Sequence, residues 1–132
     1  MSVVAGDIRN VTVDHSELGS KVFEAKATED YTFMPGGYKS NDDDGNIGVA
    51  GTRIDQMNRY PWSVELTLIN NDGDIDYLQS LAENPLEGTW TFEHISGDVR
   101  VGRGKPVGDV SANKQAGTIA LKCAGSGRLE KL

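Results

Sequence analysis

Alternation of apolar and polar residues is the strongest pattern in the chain. In WSVELTLI, Trp62 to Ile69, the residues Trp62, Val64, Leu66 and Leu68 fall on one face, with Ser63, Glu65 and Thr67 on the other. That is the period of a half-buried antiparallel strand. TWTFEHI repeats it, with Trp90 and Phe92 inward and Thr89, Thr91 and Glu93 outward, and TIALKC does so through Ile119, Leu121 and Cys123. Val11 and Val13, then Phe23, Ala25 and Ala27, predict two weaker strands. Val99, Val101 and Val107 predict another strand or pair, with a bulge or turn at Gly102 and Gly104.

One segment changes period. DIDYLQSLAEN places Ile75, Leu78, Leu81 and Ala82 on one helical face. Asp72 or Asp74 is positioned to cap its start, and Asn84 followed by Pro85 to end it. The expected fold is mainly β: an antiparallel β-sandwich or small barrel with one flanking α-helix that plugs an open end. Trp62, Leu66, Trp90 and Ile119 should share a core, with Leu78 and Leu81 covering one edge. No repeat or linker divides residues 1–132, so one domain is expected.

Composition narrows this further. A chain of 132 residues can bury a core without disulfides, and the single cysteine, Cys123, excludes an internal one. No apolar run is long enough to span a bilayer, and Met1 to Ile8 lacks a basic start and an apolar core, which predicts a protein made in the cytosol without membrane insertion. A net charge of −7 argues against a general binder of nucleic-acid phosphates. The charge is also split: Pro61 to Val99 holds eight acids and no lysine or arginine, whereas Arg100 to Leu132 holds seven bases against Asp109 and Glu130. Neighbouring strands of one sheet could neutralise each other. Alternatively, a head-to-tail contact could set an acidic patch against a basic one on the next copy, with Lys105 and Lys114 as contact residues.

Motifs for chemistry fail on inspection. Reading the acidic loop as an EF-hand with Gly45 at position 6 puts Asp42 and Asp44 at positions 3 and 5, but Ser40 at position 1 and Gly51 at position 12. The bidentate acid is missing. GRGKP has no Gly-Lys-Ser/Thr and no helix after it. Asp14, His15 and Ser16 are adjacent on a strand, point to alternate faces and cannot relay a proton. His94 and Cys123 continue buried faces, and the NVT sequon matters only in a secreted chain. No catalytic, cofactor or metal site is expected.

The segment GGYKSNDDDGNIG, Gly36 to Gly48, is long, acidic and nearly free of apolar residues. With MNRYPWSVELTL, GKPVGDV and the ending IALKCAGSGRLEKL, in that order and with a Leu-rich helix after the second, it makes the chain resemble the small tail tube proteins of tailed bacteriophages, from about Val11 to Leu132. The resemblance implies a β-sandwich or small barrel flanked by a helix, forming hexameric rings that stack into a tube in the virion tail. The related tubes of contractile injection and type VI secretion systems share this architecture. Tail sheath, baseplate and tail terminator proteins would be its partners, and DNA only a passing cargo of the lumen. An acidic lumen would repel phosphates, so the basic C-terminal third is expected at subunit or sheath contacts.

In such proteins a long loop reaches a neighbouring subunit or ring. Here Gly36, Gly37, Gly45 and Gly48 would permit an unusual backbone, and Asn41, Asp42, Asp43 and Asp44 would supply acceptors to the partner. The rival reading is a carbohydrate-binding β-sandwich module with an acidic, calcium-dependent loop, which would want several exposed aromatics on one face; a small enzyme comes third.

Overall fold

The computed structural model describes residues 5–40, 48–52, 57–113 and 115–131. The strands are β1 (Ile8–His15), β2 (Gly19–Glu24), β3 (Thr32–Met34), β4 (Gly37–Ser40), β5 (Met57–Tyr60), β6 (Trp62–Ile69), β7 (Gly88–His94), β8 (Val99–Pro106), β9 (Ser111–Asn113), β10 (Thr118–Gly125) and β11 (Glu130–Lys131). The helix α1 (Asp74–Glu83) joins β6 to β7. Every strand pairing is antiparallel.

The main sheet runs β2-β1-β7-β8-β10-β6-β3, with β11 beside β8 and β9 beside β10. It doubles over into two layers because β8 changes partner along its length. β8 pairs with β7 up to Gly104, then with β10 at Lys105 and Pro106. Alternation drives the doubling: Trp90 and Phe92 of β7 and Trp62, Val64, Leu66 and Leu68 of β6 all turn their apolar side inward. Trp62 meets Phe92 across the layers in an edge-on contact with ring centroids 6.0 Å apart. Among the described residues the strands do not close into a barrel. The residue after β2 touches β6, the strand before the β3 end of the path, at one bridge, Ala25 with Leu68, beside which the Lys26 N–H donates to the Thr67 carbonyl at 3.0 Å.

Trp62, Leu66, Trp90, Ile119, Leu78 and Leu81 are buried in one cluster, and α1 covers the end of the sandwich near the β1–β2 turn. The helix is pinned there by polar contacts. The Tyr77 hydroxyl donates to the Gly19 carbonyl at 2.6 Å, and the Asp74 carboxylate pairs with the Lys21 ammonium at 3.0 Å.

Three local expectations need correction. Neither Asp72 nor Asp74 caps α1: the cap residue is Gly73 at φ 82°, with no side-chain bond. Asp74 instead lies buried, ion-paired with Lys21 and accepting the Asn71 N–H at 3.2 Å. Ala27 lies beyond the end of β2 and is exposed. Gly102 and Gly104 mark neither a bulge nor a turn, because β8 runs unbroken through both, and Val107 falls after it.

The glycines serve close approach. A Cβ on Gly104 would lie 2.2 Å from the Ala124 carbonyl oxygen and 2.7 Å from the Trp62 ring. One on Gly102 would lie 2.6 Å from Leu129, and one on Gly125 would lie 2.4 Å from the Trp62 indole nitrogen. At Gly102 and Gly104 the inward face of β8 is therefore bare backbone, and the Trp62 indole fills the space.

Among the described residues no helix is long and apolar enough to cross a membrane.

Gly104→Ala should destabilise the fold by about 1–3 kcal/mol through overpacking, and Trp90→Ala by about 3–5 kcal/mol through the cavity left behind. Val22, 61% exposed on β2, should tolerate alanine within about 0.5 kcal/mol. Urea denaturation midpoints check the order; a neutral Gly104→Ala would refute the packing of Trp62 against β8.

Candidate assembly surface

The glycine-rich segment begins in a hairpin strand. β4 and β5 form a two-stranded sheet of their own, paired from Gly37 with Tyr60 to Ser40 with Met57. Gly36 sets its exit angle. At φ 79° it takes a conformation that side chains disfavour, and a Cβ there would lie 2.6 Å from the Gly127 oxygen and 2.7 Å from the Trp62 nitrogen. Gly36 bridges to Arg128, the Leu129 N–H donates to the Pro35 carbonyl at 2.8 Å, and the Arg59 guanidinium reaches the Ser126 carbonyl at 3.4 Å. The base of the hairpin is thus clamped to the segment between β10 and β11.

Gly36 and Gly37 both use positive φ, as the sequence suggested. Gly48 does not; its N–H donates to the Thr52 carbonyl at 2.7 Å, and the left-handed residue of that turn is Gly51 at φ 88°. Asn41, Asp42, Asp43, Asp44, Gly45 and Lys114 lie outside the described residues.

Lys105 has an intramolecular role. Its ammonium donates to the Asn84 carbonyl at 2.7 Å, where α1 ends and carries partial negative charge. Other acidic and basic residues from the two halves of the charge split also meet within the chain. Glu65 stands opposite Lys122 across β6 and β10, and Asp98 lies 3.4 Å from Arg100 and 3.6 Å from Lys131. The neighbouring-strand reading of the charge split is realised at these positions. Arg103 and Arg128 line an open groove with Glu87 and Glu130.

The candidate chemical groups are occupied structurally. His15 accepts the Glu17 and Leu18 N–H groups on Nδ1, at 3.1 and 3.2 Å, and faces the Leu86 carbonyl through Nε2 at 3.2 Å. His94 is held the same way, with Nδ1 accepting the Ser96 N–H at 3.1 Å and Nε2 facing the Gly6 carbonyl at 3.1 Å. In both rings Nδ1 accepts backbone N–H groups and Nε2 faces a carbonyl oxygen. Asp14 accepts the Ser20 hydroxyl at 3.0 Å rather than orienting His15. Cys123 is fully buried, with its thiol 3.6 Å from the Val64 carbonyl, and burial pushes the thiol pKa far above its ordinary value. Among the described residues no group of three or more His, Cys, Asp or Glu could hold a metal ion.

Pattern reading missed a cleft of about 210 Å³ between the layers, at the end opposite α1. Tyr31, Phe33, Phe92, His94, Asp98 and Arg100 line it. Arg100 shares the inward parity of Gly102 and Gly104, and its guanidinium lies over the Phe33 ring, 5.3 Å from the centroid. Asp98 Oδ1 is buried there with no hydrogen-bond partner among the described residues. Burial, helped by Asp7, raises the Tyr31 phenol pKa and keeps it a hydrogen-bond donor. An arginine at an inward strand position was the available signal.

No family model matches the chain, and no curated protein matches it.

Two outcomes are expected. Cys123 should react with a thiol reagent only as fast as the fold opens, so raising the pH from 7 to 9 should accelerate labelling little compared with an unfolded control; rapid labelling of folded protein would contradict its burial. Lys105→Glu should lower the urea stability of the protein by about 1 kcal/mol, since it puts a negative charge at the helix C-terminus, with Lys105→Gln in between. An unchanged midpoint would free Lys105 for a role outside the chain.

Proposed function

We propose that the protein is a structural subunit that assembles through its β4–β5 hairpin into stacked rings, as the tail tube subunits of bacteriophages do. The observation that carries this reading is the hairpin itself. It forms a two-stranded sheet separate from the main one and is clamped at its base by Gly36 and Arg59, and in the sequence the acidic stretch Asn41 to Asp44 follows its first strand. A two-stranded ribbon outside the main sheet is a ready partner for another strand. The remainder of the fold supports the reading in a weaker way: a rigid two-layer body with edge strands β2, β3 and β9 suits ring formation.

In this reading the rings are hexameric and stack into a channel in the virion tail. The subunit is made in the host bacterial cytoplasm, passes DNA without gripping it, and meets sheath, baseplate and terminator proteins at its outer and end surfaces. The overall charge of −7 suits a wall that phosphates slide past. It is not an enzyme and needs no cofactor. The rival carbohydrate-binding reading wants an aromatic platform, whereas Trp62 and Trp90 are both fully buried.

Replacing Asp42, Asp43 and Asp44 together by alanine should leave the melting temperature of the monomer nearly unchanged and impair ring or tube formation seen by electron microscopy. A melting temperature that climbs with millimolar calcium and drops with chelator would instead favour the rival. Assembly should also weaken between low and high salt, since exposed charges are screened over about 10 Å at 0.1 M. Sedimentation velocity across a salt and concentration series decides the matter, and a permanent monomer would sink the proposal.

A further inference from the structure

The cleft opposite the helix combines an apolar interior with a surplus of positive charge. Ile8, Phe92 and His94 are buried there, and His94 has both ring nitrogens occupied, by Gly6 and by Ser96. Phe33 comes from the facing layer, with the Arg100 guanidinium over its ring. Arg100 is only partly used. Its Nε donates to Asp98 Oδ2 at a long 3.4 Å, and among the described residues its two Nη groups make no hydrogen bond. Lys131 also faces Asp98, at 3.6 Å, so two cations stand against one carboxylate. A half-buried guanidinium with donors left over favours an anion that accepts from its planar fork.

The volume of about 210 Å³ limits the size of that anion. A dry apolar cavity of about 150 Å³ holds one benzene ring, and drug-sized ligands need about 300 Å³ or more. Inorganic phosphate would leave the aromatic walls uncovered, and a neutral hydrocarbon would leave the Arg100 donors unmatched. A cation would meet the charge surplus. The Tyr31 side of the cleft is the less suitable one for a negative charge, because burial and then the Asp7 carboxylate keep its phenol protonated. The charged head of a ligand therefore belongs at Arg100, and its apolar part against Phe33 and Phe92.

We infer that the cleft binds a small organic acid, a single ring or branched aliphatic group carrying one carboxylate. Arg100 donates from its two Nη groups to the carboxylate, and the ring packs against Phe33 and Phe92. Asp98 does not touch the ligand; it holds Arg100 through Nε and is a positioning residue. The site is independent of the hairpin and of assembly, so either proposal can fail without the other.

Benzoate is the probe, titrated into the full chain at constant ionic strength and at concentrations where sedimentation shows a monomer, with amide and aromatic NMR shifts as the readout. Saturable shifts should centre on Phe33, Phe92 and Arg100, with a dissociation constant on the order of 1 mM, as a ligand of so few atoms allows. Benzamide keeps the ring without the charge and acetate the charge without the ring; each should bind about tenfold more weakly or worse. Arg100→Gln should weaken benzoate about tenfold or more, and Arg100→Lys by a smaller factor, since lysine keeps the charge but not the fork. Unchanged affinity in Arg100→Gln would overturn the inference, as would shifts that do not saturate, that map elsewhere, or that benzamide reproduces at equal concentration. The comparison of the three probes needs no variant, so it decides the matter even where Arg100→Gln fails to fold. Benzoate that dissolves assembled protein without binding the monomer would assign the cleft to another copy and overturn the inference as well.

Discussion

The Trp62 indole lies against backbone on two sides, and most of the architecture follows from that contact. Its N–H donates to the Arg103 carbonyl at 3.0 Å, and the Trp90 N–H donates to the next carbonyl, Gly104, at 3.0 Å. These are the residues at which β8 leaves β7 and reaches β10. A buried indole N–H without an acceptor would be costly, and a change of strand partner leaves backbone acceptors available to such donors. The two tryptophans thus fasten the place where one layer becomes two. Gly102, Gly104 and Gly125 make room for this, because a Cβ at any of them would enter the indole or the facing strand.

The same residue, through its backbone, ties the hairpin to the body. Gly36 passes so close to the Trp62 backbone that a side chain there would collide with it. Leu129, buried beside Gly102, donates its N–H to Pro35, the residue before that turn. The base of β4 and β5 is therefore positioned by the packing of the core. A preorganised ribbon loses less entropy on meeting any partner than a free loop would, which is what the proposed assembly asks of it.

The two ends of the sandwich are treated differently. At one end α1 covers the core, held by the Lys21–Asp74 pair, the Tyr77 hydroxyl and the Lys105 ammonium. At the other end no helix intervenes among the described residues, and Arg100 with Phe33 only partly fills the gap between layers. The two ends of the sandwich are therefore chemically distinct: one covered by a helix, the other open at a cleft.

Alternation alone determined β6, β7 and β10 and the burial of Trp62, Trp90, Ile119 and Cys123, because a period of two is a local property that any two-layer sheet must respect. The helical face of Leu78 and Leu81 was legible for the same reason. The role of the glycines in β8 was not: Gly102 and Gly104 read locally as turn signals, and only the arrival of Trp62 from a distant strand makes them a slot. Likewise Lys105 read as a free surface charge until the end of α1 came within 2.7 Å of it. The uneven charge looked like an intermolecular pattern in one dimension, yet antiparallel pairing sets Glu65 beside Lys122 and brings Lys131 to Asp98. Sequence periodicity reports which side of an element is apolar; which elements meet, and hence where an apolar cleft or a half-used guanidinium is left over, depends on contacts between residues far apart in the chain, and only the tertiary structure decides it.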